Sequence, residues 1–227
     1  MRIKAITPIR VTDDELARRQ ERYRRLSPQG VEVTLVNLPE RLDVPRALET
    51  EDDLVASDRV VAEVAASTDP AEFDAILPDC VLDPGLPTIL RDGPLPVFGI
   101  LKLTASLLHS LDRPFVAVAR NEVIAGELER CVARYGLSER FDGVKLLNLS
   151  FDDIADDAKW NSALSSVRDG LAAGPVHTIL NGCSAVEVLD DDHPVSVFDP
   201  TRLALRLIGV AVEHGVVEAP RPVVASV

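Results

Sequence analysis

The chain has 227 residues, 46% of them hydrophobic, and a formal charge of −13. That length suits one large domain or two small lobes with a real core, above the size at which folds need staples. So acidic a surface repels nucleic acid and anionic membrane, so neither is expected as a partner, and no window approaches the roughly 18 apolar residues that span a bilayer.

Short apolar runs alternate with longer amphipathic stretches, the pattern of an α/β protein with parallel strands. Residues 2–6 read as a strand, Asp13 is placed to cap a helix over 13–26, and 31–36 read as a second strand. Residues 52–66 are helical in pattern and Asp69-Pro70 stops them. A third strand over 74–77 leads to Cys80, and Asp83-Pro84 then makes a helix start. Residues 95–98 read as a short edge or switch strand. The order then begins again, with a helix over 103–111, a strand over 114–119 and a helix over 122–135 ended by Gly136. A strand over 144–149, a mostly helical 152–171, strands over 176–180 and 195–198 and a helix over 201–214 complete it. The tail with Pro220 and Pro222 is expected to be irregular.

The second half reads as a copy of the first. Ala75-Ile76-Leu77-Pro78-Asp79-Cys80 matches Thr178-Ile179-Leu180-Asn181-Gly182-Cys183, and Pro96-Val97-Phe98-Gly99 matches Ser196-Val197-Phe198-Asp199. Ala5-Ile6-Thr7 pairs with Ala117-Val118-Ala119, and Gly30-Val31 with Gly143-Val144. Each match alone is the ordinary Val, Ile and Leu of α/β strands; their common order is what argues for duplication. The predicted fold is α/β with two pseudo-symmetric lobes, each a parallel four-stranded sheet flanked by helices. Residues 1–98 with 199–227 would form one lobe and 99–198 the other. Ligands of such sheets sit at the carboxyl ends of the strands, which sets the expected site in a cleft between the lobes.

Cys80 and Cys183 then fall just past the third strand of each copy, facing one another. Racemisation needs a base on one face of a tetrahedral carbon and an acid on the other. A thiol of ordinary pKa near 8.5 can serve as either, and a following helix N-terminus would favour the thiolate. No metal or organic cofactor is required by that scheme. Against it stands the habit of free cysteine simply to pack in a core, which suits Cys131, set inside a helical run. Three cysteines are too few for a disulfide scaffold, and a reducing cytoplasm is the simplest setting. The start, Met1-Arg2-Ile3-Lys4, has no apolar stretch of the signal-peptide kind.

These motifs resemble the aspartate/glutamate/hydantoin racemase superfamily. Cys80-Val81-Leu82-Asp83-Pro84-Gly85-Leu86 is similar to the first cysteine motif of the hydantoin-racemase branch, and Asn181-Gly182-Cys183-Ser184 to the second. The basic start before a strand and Pro8, and Phe198-Asp199-Pro200 before the last helix, fit as well. The resemblance implies a cofactor-independent racemase or epimerase of a small amino acid or related carbon acid, and a homo-oligomer. It makes Cys80 and Cys183 catalytic and puts Pro8, Ile9, Arg10, Val81, Leu82, Lys102, Ala119, Arg120, Asn121 and Ser184 round the substrate. Three segments depart from the branch. Thr7-Pro8-Ile9-Arg10 stands where Asn-Pro-Asn-Thr is usual, Gly99-Ile100-Leu101-Lys102 where a glutamate follows the Gly-Ile pair, and Ala119-Arg120-Asn121 where threonines are usual. A hydantoin ring loses polar partners by these changes. Arg10, Lys102 and Arg120 point instead to an anionic group such as a carboxylate, unless they are ordinary surface charges.

Other features carry less. His109, His177, His193 and His214 have no metal spacing, and Asp190-Asp191-Asp192 reads as a solvated turn rather than a cation site. Asn121 is either a helix cap or an oxyanion donor. Alternative functions on the same fold are a cysteine-dependent cis–trans isomerase of the maleate type, a decarboxylase, or a non-enzymatic binder of small anions.

Overall fold

The computed structural model describes residues 1–41, 43–188 and 191–217; the proline-containing tail and Asp190 lie outside them. Strands β1 (Arg2–Ile6), β2 (Glu32–Val36) and β3 (Ala75–Pro78) form one sheet, in the order β2-β1-β3, all parallel. Strands β4 (Phe115–Ala119), β5 (Phe141–Leu146), β6 (Thr178–Asn181) and β7 (Ser196–Phe198) form the other, in the order β5-β4-β6-β7, again parallel. Helices α1 (Asp13–Leu26), α2 (Glu51–Ala66), α3 (Leu86–Asp92), α4 (Ile100–Ser110), α5 (Glu122–Arg134), α6 (Asp157–Leu171) and α7 (Pro200–Glu213) connect and cover them.

The ladders repeat. Ala5 lies opposite Leu77 and Ile6 opposite Pro78; in the second sheet Ala117 lies opposite Leu180 and Val118 opposite Asn181. Ile76 bridges Val97 as Ile179 pairs with Val197. Two corrections to the expected symmetry follow. Ala5 lies opposite Leu35 but Ala117 opposite Val144, so the partner of Val144 is Leu35 and not Val31. The first sheet has three strands and not four. Its fourth segment is reduced to one bridge, carried by Ile76 N–H to Pro96 O and Phe98 N–H to Ile76 O. Pro94 and Pro96 have no N–H to extend that ladder.

Strand alternation sorts the core into layers. Ile3, Ala5 and Leu77 of the first sheet share one cluster with Phe115, Ala117 and Leu180 of the second, together with faces of α4, α5 and α7. The opposite faces are covered separately, Ile6 and Ile76 by Val60 and Val61 of α2 and Ile89 of α3, and Val118 and Ile179 by Trp160 and Leu164 of α6. Side chains buried to this degree contribute about 1.5–3 kcal/mol each.

Local chemistry sets the helix starts. Thr12, one residue before the expected Asp13, accepts from Glu15 N–H at the head of α1, and Thr50 with Asp53 closes a capping box on α2. Asp83 does not cap α3, whose start is Gly85 in the left-handed region at φ 71°. The Asp83 carboxylate reaches instead to α4, accepting from Leu101 N–H at 3.1 Å and Lys102 N–H at 2.9 Å. In the second copy Asp199 caps α7 itself, accepting from Arg202 N–H at 3.1 Å. Gly99 stands at the matching position before α4, and a Cβ there would lie 2.6 Å from Asp83 Oδ2. A glycine thus makes room for a carboxylate supplied by the Cys80 loop.

Candidate active site

Cys80 and Cys183 follow β3 and β6, the two strands paired directly with the central strands β1 and β4. Both thiols line one cavity of about 60 Å³, with Pro8 and Ile9 past the end of β1 and Arg120 past the end of β4. Through Arg19, Phe151 and Ile154 this cavity adjoins a wider hollow of about 490 Å³ that Arg10, Arg18 and Arg46 also line.

Neither thiol sits at a helix N-terminus. After Cys183, residues 184–186 form a turn and bend with no helix, and α3 begins only at Leu86. One local and two tertiary hydrogen bonds hold the segment around Cys183 in its turn. Asn181 Nδ2 donates to Cys183 O at 2.9 Å, Ser184 Oγ to Asp79 O at 3.0 Å, and Thr201 Oγ1 to Ser184 O at 3.3 Å. What each thiol receives is one backbone N–H two residues on: Leu82 N–H at 3.4 Å for Cys80, and that of Ala185 for Cys183. The copies therefore repeat the thiol's own hydrogen bond.

Gly182 has no substitute at its place. A Cβ would lie 1.8 Å from Val118 O, because the chain crosses the end of β4 there on its way to Cys183. Asn181, before it, is fully buried and accepts from Trp160 Nε1 at 3.0 Å.

The thiols differ in charge environment. Burial pushes both up. Around Cys80 the further influences are the Leu82 N–H, which lowers it, and Cys183, Asp79 and Asp83, which raise it. Around Cys183 the Ala185 N–H, Arg19 and Arg22 pull back down, while Asp79 raises it as well. Both arginines come from α1 and are buried. Arg19 pairs with Asp79 at 3.2 Å and Glu15 at 2.7 Å; Arg22 pairs with Asp199 at 2.6 Å. Asp79 also accepts from Tyr23 Oη at 2.7 Å. Burial raises the Asp79 carboxyl, and Arg19 and Tyr23 oppose that rise. The residue types alone gave no reason to single out Arg19. A run of five arginines in α1 reads as a solvated face, and the pairing with Asp79 across the fold is what makes it part of the site.

Of the sequence-derived candidates, Cys80, Cys183, Pro8, Ile9, Leu82, Arg120 and Ser184 line the cavity. Val81 and Ala119 are fully buried in the core. Arg10 donates to Leu38 O at 2.7 Å, pairs with Glu40, and belongs to the wider hollow. Lys102 is exposed, and its backbone N–H serves Asp83. Asn121 is the cap of α5, accepting from Ile124 N–H at 2.8 Å, while its amide donates to Leu48 O and Glu49. Asp83 itself, pushed up by burial to about 7, also accepts from Tyr135 Oη at 3.0 Å. Cys131 is wholly buried, and burial raises its thiol. His177 is exposed, and Asp191 accepts from Arg168 Nη1 at 2.9 Å. Among the described residues no group of three His, Cys, Asp or Glu side chains is arranged to hold a metal, and no helix is long and apolar enough to cross a membrane.

Two parallel sheets with matching ladders, each followed by a cysteine that lines the same cavity, define the α/β architecture of this protein. Residues 10–208 match the family model described as Asp/Glu/Hydantoin racemase, and the chain belongs to that family. Among solved structures, allantoin racemase from Pseudomonas fluorescens superposes with a TM-score of 0.81 at 18% identity, over 98% of this chain and 95% of that one. Allantoin racemase from Klebsiella pneumoniae gives 0.77 at 20%, over 95% and 89%. The maleate isomerase Iso from Pseudomonas putida S16 gives 0.57 at 15%, over 92% of each. At these identities the likeness is one of fold. No curated protein matches.

Proposed function

We propose that the protein is a cofactor-independent racemase or epimerase of a small carbon acid, in which Cys183 and Cys80 exchange a proton with opposite faces of one carbon. The observation that carries this is the presence of both thiols, from equivalent strand ends, in one small cavity. In this reading the thiol flanked by Arg19 and Arg22 is the more easily ionised. Cys183 is then the base that removes the proton, and Cys80, raised by burial and neighbouring carboxylates, is the acid that returns one. The roles reverse for the other enantiomer. Membership of the racemase family and the allantoin racemase fold support the reading. A reducing compartment, in keeping with free cysteines, and a homo-oligomer belong to the same proposal.

The test is α-proton exchange in heavy water, followed by proton NMR across amino acids, hydantoins and 2-substituted carboxylates. A substrate should take up deuterium with wild-type protein and not with Cys80→Ala or Cys183→Ala. Normal exchange by either variant sinks the two-thiol scheme. The unequal charge around the thiols also supports a second reading, single-thiol chemistry at Cys183 of the kind a maleate isomerase fold could host. That reading expects Cys80→Ala to keep turnover of maleate while Cys183→Ala loses it.

A further inference from the structure

Arg120 is 3% exposed at the cavity wall, and its guanidinium is incompletely paired. Nη2 donates to Leu48 O at 2.9 Å, Nη1 meets Glu49 Oε1 at 2.8 Å, and Nε has no partner among the described residues. A buried N–H without an acceptor is costly and calls for an explanation. Glu49 is 47% exposed, and so solvated a partner holds its ion pair weakly. The other cation at the wall, Arg19, is occupied by Glu15 and Asp79.

The rest of the lining is apolar. Ile9, Leu48, Leu82, Ile124, Phe151 and Ile154 surround the thiols, and the one further polar side chain, Ser184, spends its hydroxyl on Asp79 O. Such a wall sorts anions. A dicarboxylate held within this cavity would bury its second charge beside no available cation. A hydantoin ring carries two N–H and two C=O groups; Arg120 can serve one C=O, but beyond the Ser184 hydroxyl these side chains offer its N–H groups no acceptor, the mismatch a polar ligand tolerates least.

We infer that the ligand of this site is a monocarboxylate with an adjacent apolar group, its carboxylate held by Arg120 in place of Glu49 and its apolar group against Leu82, Ile124 and Phe151. This inference rests on the cavity being the substrate site of the proposed racemase and narrows its substrate class.

The experiment uses ligands that cannot racemise, so that binding is read apart from turnover. Affinities of 4-methylpentanoate, its neutral amide 4-methylpentanamide, glutarate and hydantoin are measured by ligand-observed NMR on wild-type protein. The carboxylate should bind at least tenfold tighter than the other three. Arg120→Gln should lose that tenfold advantage and Arg120→Lys part of it, while Glu49→Gln should bind as tightly as wild type or more so. Equal binding of the amide, tighter binding of glutarate or hydantoin, or undiminished binding by a folded Arg120→Gln would overturn the inference. Should Arg120→Gln not fold, the wild-type ligand series decides alone. The exchange assay reads the two thiols and this binding series reads Arg120 with both thiols in place, so a failure of the two-thiol scheme is distinguishable from a failure here.

Discussion

Arg19 of α1 and Asp79, the residue before Cys80, form a buried ion pair at 3.2 Å between segments 60 residues apart. The pair does two things. It fastens α1 to the end of β3, and it places a guanidinium where it opposes the rise that burial imposes on the Cys183 thiol.

Replacing Arg19 therefore has a structural and a chemical consequence. Arg19→Gln leaves Asp79 buried without its cation and should cost about 3–5 kcal/mol in denaturant unfolding. In the surviving folded protein, Cys183 should alkylate more slowly at neutral pH, with its reactivity profile moved to higher pH. Peptide-resolved mass spectrometry of alkylation rates reads this without any substrate. Arg19→Lys should fall between. An unchanged Cys183 profile in Arg19→Gln would remove Arg19 from the electrostatics of the site.

The proposed reaction has a pH signature. A thiol raised above its ordinary value near 8.5 is mostly protonated at neutrality, so the fraction of Cys183 able to act as base grows with pH. Proton exchange should rise through neutrality and into the alkaline range. A profile flat from pH 6 to 9 would contradict a thiolate base.

Asp83 gives a stability signature of opposite sense to most carboxylates. Its folded value is about 7, while an unfolded aspartate titrates near 4. Between those values the folded state binds the extra proton, so this group's contribution is present at low pH and is lost as pH rises through the window. Asp83→Asn should remove that dependence, about 3 kcal/mol between pH 4.5 and 7.5, while weakening the cap on α4. Urea unfolding of both proteins at pH 4.5 and 7.5 measures the difference. Equal pH slopes would show that Asp83 is ionised throughout.

Gly182→Ala should be among the most damaging single changes. Its Cβ meets a carbonyl oxygen of β4 and not a side chain that can turn aside. A loss of about 3 kcal/mol or failure to fold is expected, read from the melting temperature. Gly136→Ala is the contrast. It sits at positive φ, 72°, as Gly182 does not, but nothing lies within 4 Å of its added Cβ, so backbone strain alone should make it much milder.

Much of the fold was legible because its determinants are local. β1 and α1 fall on the residues that alternation and helical periodicity indicate, and the repeated Ile-Leu before each cysteine reappears as identical ladder positions in the two sheets. Where the reading slipped, something outside the local pattern decided. Prolines 94 and 96 look apolar and extended but cannot fill a ladder, so a strand became a bridge. Val144 resembles Val31 by its preceding glycine, yet pairing to β4 assigns it the place of Leu35.

The amino-acid order alone determined the α/β class, its duplication and the pair of cysteines, since periodicity and a repeated motif are properties of neighbours along the chain. It left three cations as equal candidates for binding an anion. Only the tertiary structure could separate Arg120 at the cavity wall from Arg10 in the wider hollow and Lys102 on the surface, and bring in Arg19. A charge's role depends on its burial and on which partner occupies it, and both are settled by segments far away in sequence.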